Sequence, residues 1–206
     1  WDDFLSLIIF LTENKLNFFG FSITMPHKMK VLPNLSKPVN FLIKEGVKPN
    51  QNINVCIGSV SFRYFDTDRI ALLKSLEYLA VDFYHFILVY GTGATAENSL
   101  SVLNEYPHVY LTGRNPQKLK IISEKYNRRI VSINEIQNIP IDLLINCTPL
   151  GMKGEDFMNE TQIYDFNKVI DLAYRSDQVI EEDFNPRLNI AKTKLINYAH
   201  INELKY

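Results

Sequence analysis

Residues 85–90, HFILVY, form a short and nearly continuous apolar run, and Gly91-Thr92-Gly93 follows without a spacer. A strand that is apolar at successive positions is covered on both faces, the condition of a parallel sheet lined by helices. Residues 94–105 then read as a helix. The pattern repeats downstream, with a strand at 108–112, a helix at 116–126, and further strands at 129–132, 143–147 and 169–172. Strands alternating with helices predict a parallel α/β sheet. Residues 194–198, KLINY, read as one more strand.

The grammar before residue 82 differs. Residues 2–13 look helical, with Asp2 and Asp3 in the first turn where the helix dipole favours acids. Residues 21–25 alternate apolar and polar and predict a strand, stopped by Pro26. A helix is expected at 27–33, short strands at 54–57 and 60–65 around Gly58, and from Thr67 a helix with apolar residues at 70, 72, 73, 76, 79 and 80. The expected organisation is a domain over 1–82, a nucleotide-binding domain over 83–190 and a returning segment over 191–206.

Composition narrows the class. The 206 residues hold 22 basic and 23 acidic side chains, a formal net charge of −1. The absence of a basic excess to release counterions argues against a nucleic-acid binder working through bulk charge. A hydrophobic fraction of 46% excludes a largely disordered chain. Two cysteines without a CxxC, and four histidines, argue against a metal site and against a disulfide framework. The apolar run at 7–11 is too short to span a bilayer, and acids precede it where a signal peptide carries positive charge. The expectation is a cytoplasmic protein without membrane or metal. Residue 1 is Trp, so a piece of something longer is expected.

Gly91-x-Gly93-x-x-Ala96, between an apolar strand and a helix, has the context of a dinucleotide turn. The first glycine makes the tight turn, the second admits a pyrophosphate to the backbone, and the small third residue packs helix on strand. Ala94 and Thr95 open the helix, whose N-terminus would receive the phosphates. An NAD-specific site carries an acid about twenty residues past the glycines, at the end of the second strand. Here that place reads Gly113-Arg114-Asn115. A guanidinium suits a 2′-phosphate because its fork donates two parallel hydrogen bonds. The expected cofactor is therefore NADP; Lys118, one turn on, is either a further cation for it or a solvent-facing residue.

Four segments then resemble the shikimate dehydrogenase family. They are Gly20-Phe21-Ser22-Ile23-Thr24-Met25-Pro26-His27-Lys28, Asp66-Thr67-Asp68, Asn146-Cys147-Thr148-Pro149-Leu150-Gly151-Met152 and Asp171-Leu172-Ala173-Tyr174. Their order and approximate spacing match the family over roughly residues 2–180. The resemblance implies a Rossmann-type NADP-binding domain and a partial α/β substrate domain. It implies reversible hydride transfer between NADPH and 3-dehydroshikimate, in chorismate and aromatic amino-acid biosynthesis. Lys28 and Asp68 would be the catalytic dyad, a Lys–Asp pair able to hold and tune a transferring proton. Thr24, Asn54 (with Asn52 competing) and Tyr174 would contact the substrate. Thr148, Pro149, Leu150, Gly151 and Met152 would shape the nicotinamide pocket. His27 and Cys147 read as packing residues, and Phe83, Tyr84 and Phe86 as core or interdomain packing.

The match also departs from the family. The Ser-x-Ser strand that binds the substrate carboxylate has no counterpart, since only 19 residues precede Gly20, and the closing Gln-bearing helix is absent. The chain looks truncated at both ends. Ala94 replaces a glycine of the turn. Glu97 stands where an arginine often helps the cofactor, and an acid there would repel phosphate unless it points away. Asp66 replaces an asparagine and would raise the proton affinity of Asp68. Other readings are a quinate/shikimate dehydrogenase of different specificity and a non-catalytic NADP- or metabolite-binding regulator. A homodimer, or a place in a multifunctional polypeptide, is left open.

Overall fold

The computed structural model describes residues 6, 10, 20–22, 55–58, 62–173, 184–185 and 190–206. The chain divides into two compact units, Trp1–Ala71 and Leu72–Tyr206. In the first, strands β1 (Phe21–Ser22), β2 (Val55–Gly58) and β3 (Phe62–Phe65) form an antiparallel sheet in the order β1-β2-β3. Phe21 is opposite Cys56, and Val55 is opposite Phe65. Ser6 and Phe10 are helical. The rest of the expected helix at 2–13, positions 23–25 of the expected strand and the expected helix at 27–33 lie outside the described residues.

Helix α1 (Thr67–Tyr78) starts where Asp66 ends the extended backbone. The Asp66 carboxylate accepts the Arg69 amide at 3.0 Å, an N-cap bond that satisfies one of the helix's orphan donors. Asp66 is thus a helix cap, a role the motif comparison did not suggest.

The second unit is built on a five-stranded parallel sheet, β4 (Ile87–Tyr90), β5 (Val109–Thr112), β6 (Arg129–Ile130), β7 (Ile141–Asn146) and β8 (Phe166–Asp171), in the order β6-β5-β4-β7-β8. Alternate strand residues face opposite sides. Ile87, Val89, Leu111, Leu143 and Ile145 pack on one face with Leu72 and Leu76 of α1, Ala96 and Leu100 of α2 (Ala94–Val102), and Leu119 and Ile122 of α3 (Pro116–Tyr126). Leu88, Tyr90 and Leu144 pack on the other with Phe157 and Met158 of α5 (Phe157–Thr161). Leu195 and Ala199 of α6 (Lys194–Ile201) complete that second layer. A short helix α4 (Ile133–Ile136) and the antiparallel pair β9 (Phe184–Asn185) and β10 (Ile190–Ala191) complete the elements.

Several expectations are corrected. Residues 194–198 are helical: Thr193 caps the helix by accepting the Ile196 amide, and Leu195 and Ala199 share its buried face at helical spacing. The strand expected at 129–132 stops at Ile130, because Ser132 and Glu135 form a capping box that starts α4. Helices α4 and α5 were not anticipated. Phe83 and Tyr84 are not core residues; both are exposed, while Phe86 stacks on His108 at 4.8 Å.

The three residues after α2 form a tight helical turn, Leu103–Glu105. Arg128 closes it: its guanidinium donates to the carbonyls of Tyr106 at 2.7 Å, Leu103 at 2.8 Å and Asn104 at 2.9 Å. A cation is favoured at a helix C-terminus and satisfies carbonyls that have no partner within the helix. Arg128→Met, which keeps much of the stem, should therefore lower stability by about 2 kcal/mol in urea denaturation. A loss under about 0.5 kcal/mol would show that the three bonds contribute little net stability.

Candidate functional site

The strand register brings four polar or glycine-flanked ends to one level. Tyr90 is paired with Thr112 on one side and Asn146 on the other, and Asn146 is paired with Asp171. The segments following these residues therefore emerge together at the C-terminal edge of the sheet. That edge is where open parallel sheets bind ligands.

Gly91 leaves the sheet with φ +136°, its amide donating to the Thr112 carbonyl at 2.9 Å. A Cβ there would sit 3.1 Å from the Cys147 carbonyl oxygen and from Thr148 Cγ2. Conformation and space both demand glycine. Gly93 differs: its φ is −94°, and a Cβ on it would meet nothing within 4 Å. It is the N-cap of α2, and no side chain caps that helix. The open space at Gly93, beside a helix start without a side-chain cap, is a cradle of the kind in which helix N-termini receive anions. Thr95 lies in the first turn, and Ala96 packs fully buried against the sheet.

Glu97 does not face this cradle unpaired. Its carboxylate is bonded to Lys125 of α3, whose ammonium is held above its ordinary value mainly by that bond. The ion pair offsets the negative charge that made Glu97 a concern. Behind the turn, Cys147 is buried 3.4 Å from Ser99 Oγ, and burial pushes its thiol up to about 12. It is inert packing.

Gly113 stacks on the first glycine turn, so that a Cβ there would meet Thr92 Cγ2 at 3.3 Å. Asn115 is committed to capping α3, accepting the Lys118 amide at 3.0 Å, with Pro116 at the first helical position. Arg114 is exposed and forms no ion pair among the described residues; Lys118 is exposed as well. The phenol of Tyr90 is raised above its ordinary value by burial, opposed by the nearby Arg114 charge.

The third segment hangs from Asn146, which is fully buried. Its Oδ1 accepts the Thr148 amide at 3.0 Å and the Thr148 hydroxyl at 2.7 Å; its Nδ2 donates to the Leu150 carbonyl at 3.0 Å and to Asp171 Oδ1 at 2.8 Å. Pro149 is exposed, while Thr148, Leu150 and Met152 are half-buried. Glu155 closes the loop from outside, accepting the amides of Gly151 at 3.1 Å and Lys153 at 2.9 Å. Backbone amides, its own first and then those of Lys153 and Gly151, hold its carboxyl below the ordinary value. Motif reading did not reveal Glu155, Thr193 or the role of Asp171 as functional candidates. Thr193 immediately before an apolar-periodic segment was a legible capping signal.

Asp68 lies in the first turn of α1 and is half-buried. Lys28, Thr24, Asn54 (with Asn52) and Tyr174 lie outside the described residues, as does His27. No group of three His, Cys, Asp or Glu side chains among the described residues is arranged to hold a metal ion. Nor is any described helix long and apolar enough to cross a membrane.

Fold and strand-end geometry define a Rossmann-type α/β protein. No family model matches the chain. It is 28% identical over 166 residues to a protein named shikimate dehydrogenase (NADP(+)) from Clostridium botulinum, covering 79% of this chain and 60% of that relative. It is 30% identical over 146 residues to one from Oleidesulfovibrio alaskensis, covering 66% and 48%. The chain thus spans about half to three fifths of the length of these relatives. Among solved structures, a chorismate mutase/shikimate 5-dehydrogenase fusion from Clostridium acetobutylicum aligns with a TM-score of 0.69 at 26% identity, covering 99% of this chain and 69% of that one. Shikimate 5-dehydrogenase from Thermus thermophilus, in complex with NADP(H) and shikimate, aligns at 0.68 with 20% identity, covering 97% and 70%. The resemblance read from four motifs is borne out: the chain is similar to shikimate dehydrogenases in sequence and shares their fold.

The two glycines of the turn make a paired test. Gly91→Ala should cost about 1–3 kcal/mol in chemical denaturation, because a Cβ is forced into a left-handed conformation against a backbone carbonyl. Gly93→Ala should cost less than about 1 kcal/mol, the loss of a favourable N-cap residue in open space. Equal costs would contradict the assignment of strain to the first glycine and ligand space to the second.

Proposed function

We propose that this chain carries the NADP(H)-binding domain, and part of the substrate domain, of a shikimate dehydrogenase. It would catalyse reversible reduction of 3-dehydroshikimate to shikimate. The observation that carries the reading is the alignment at one sheet edge of the open Gly93 turn, the Gly113-Arg114-Asn115 segment without an acid, and the loop anchored on Asn146. The sequence similarity to proteins named shikimate dehydrogenase (NADP(+)) supports it. We assign 83–190 to the nucleotide domain, 1–82 to the substrate domain and 191–206 to a returning segment, in a cytoplasmic enzyme whose partners are its small-molecule substrates. A homodimer, or a fusion like the chorismate mutase relative, would be compatible with it.

The residues present fit the dinucleotide. When bound, NADPH supplies the hydride. Gly91, Gly93, Ala94, Thr95 and Ala96 would let the pyrophosphate reach the backbone at the start of α2. Gly113 and Asn115 would hold the turn from which Arg114 donates to the 2′-phosphate. The loop of Thr148, Pro149, Leu150, Gly151 and Met152 would wall the nicotinamide end and exclude water. Lys28 would donate the proton to the developing alkoxide, or accept it in reverse, and Asp68 would hold its ammonium in place. Thr24, Asn54 and Tyr174 would orient the substrate by hydrogen bonds. The Glu97–Lys125 pair neutralises the acid that had argued against a bound phosphate, which supports nucleotide binding in the catalytic and the non-catalytic reading alike.

Purified chain should reduce NADP+ in the presence of shikimate, with NAD+ a poorer acceptor, and Lys28→Ala should abolish turnover while leaving nucleotide affinity intact. A folded protein that binds nucleotide without turnover would overturn the catalytic part of the proposal. Separately, Arg114→Ala should weaken NADP+ binding about tenfold to a hundredfold, the worth of one charge-assisted contact, and leave NAD+ binding nearly unchanged. Equal loss for both nucleotides would remove Arg114 from the 2′-phosphate site.

A further inference from the structure

The ends of β7 and β8 are tied to the start of α6 by one carboxylate. Asp171 Oδ1 accepts Asn146 Nδ2 at 2.8 Å and the Ala173 amide at 3.1 Å, and Oδ2 accepts the Thr193 hydroxyl. The same Thr193 oxygen accepts the Ile196 amide at 3.2 Å, so it donates to Asp171 and caps the helix at once. Burial raises the Asp171 carboxyl above its ordinary value, and the bonds from Thr193, Ala173 and Asn146 oppose that rise.

The loop at 148–152 touches this group twice. From one side it hangs on Asn146, through Thr148 and the Leu150 carbonyl. From the other, Gly151 lies against Thr193: a Cβ there would sit 3.4 Å from both Cβ and Cγ2 of Thr193. Gly151 has φ +105°, so the chain passes over Thr193 in a conformation that side chains rarely allow. Thr193 is thus bonded to the support of the loop by its hydroxyl, while its methyl lies where a Cβ on Gly151 would just touch it. Moving α6 moves both.

We propose that Thr193 is a positioning residue for the nicotinamide end of the dinucleotide: through Asp171 and Asn146 it fixes where the loop at 148–152 stands. The ligand in this statement rests on the NADP reading above; the hold on the loop does not. Asn146 holds the loop at Thr148 and Leu150, and Glu155 holds it at Gly151. The bond from Thr193 to Asp171 ties the Asn146 support itself to α6.

Thr193→Val keeps the shape and removes the hydroxyl; Thr193→Ser keeps the hydroxyl and removes the methyl. Calorimetric affinities of the full chain are measured for NADPH and for adenosine 2′,5′-bisphosphate, which has no nicotinamide. Thr193→Val should weaken NADPH about tenfold, one to two hydrogen bonds' worth, leave the bisphosphate within about twofold, and be largely rescued by Thr193→Ser. Equal weakening of both ligands, or of neither, overturns the proposal. Because Thr193 also caps α6, Asp171→Asn serves as the second variant: it leaves the cap in place, removes an acceptor, and should produce the same split. Amide hydrogen exchange at Leu150 and Gly151 without nucleotide is the independent readout. It should quicken about fivefold or more in Thr193→Val and Asp171→Asn, as expected for local opening, and stay near wild type in Thr193→Ser. Unchanged exchange in the first two variants overturns the hold on the loop. Wild-type chain that binds neither ligand overturns the NADP reading and with it the nicotinamide role; the exchange data then decide the loop contact alone.

Discussion

Strand β4 has no face to spare for water. Ile87, Leu88 and Val89 are fully buried and Tyr90 is nearly so. Its side chains point alternately into two separate apolar layers, so helices must cover the sheet on both sides. Its backbone groups must find partners in strands, because an unpaired buried amide or carbonyl costs as much as a lost hydrogen bond. Both neighbours, β5 and β7, run parallel to it in register. Parallel strands return through crossovers, and their C-terminal ends fall at the same edge. The candidate site follows from that arrangement: three segments converge because both strands paired with β4 run parallel to it. The demand on Gly91 has the same origin. The chain must leave β4 directly beneath the Cys147 carbonyl of the adjacent strand's end, where a Cβ has no room.

Charge is then arranged around α2 with its dipole. Glu97 lies in its first turn, where a negative charge is favoured, and Arg128 bonds the carbonyls at its far end, where a positive one is. A first-turn acid would ordinarily compete with an incoming phosphate. Here Lys125 draws the carboxylate across to α3, so Glu97 supports the contact between the two helices instead. A substitution that looks hostile to a nucleotide, when only the neighbouring sequence is considered, is compensated by a lysine 28 residues away.

The same distance argument separates what was legible from what was not. The parallel sheet could be read because continuous apolar runs and glycine turns are local signals. The N-cap at Asn115 with Pro116 behind it is equally local. The strand expected at 194–198 failed because KLINY is short enough to satisfy either period. What decides it is the Thr193 cap and the shared burial of Leu195 and Ala199 beside Phe157 and Phe166, and only the second of these needs the tertiary structure. Helices α4 and α5 are four and five residues long, too short for apolar periodicity to show; their caps, Ser132 and Asp156, were the available clues. In the site, glycine and arginine positions were readable from motif spacing. Asp171 was visible as part of a motif, but its work was not, since the donors that define it come from Asn146, 25 residues before, and Thr193, 22 after.

Asn146 shows why the residue type at a strand end carries so much. Both lone-pair sites of its oxygen and both protons of its nitrogen are used, four bonds in a fully buried side chain. Only an amide supplies two acceptor sites and two donors on one flat group. Aspartate would offer no proton to the Leu150 carbonyl and would face Asp171 with a second negative charge. Leucine would remove all four bonds; Asp171 Oδ1 would keep the Ala173 amide and Thr148 Oγ1 the Leu150 amide, but the Thr148 amide and the Leu150 carbonyl would lose their Asn146 partner, each at a cost of about 1–3 kcal/mol. The orientation of the amide follows as well: the nitrogen must face Asp171, because the carboxylate can only accept. A single buried side chain thereby converts the register of β7 and β8, a property of the backbone, into the position of the loop at 148–152, where the chemistry proposed for this fold would be read out.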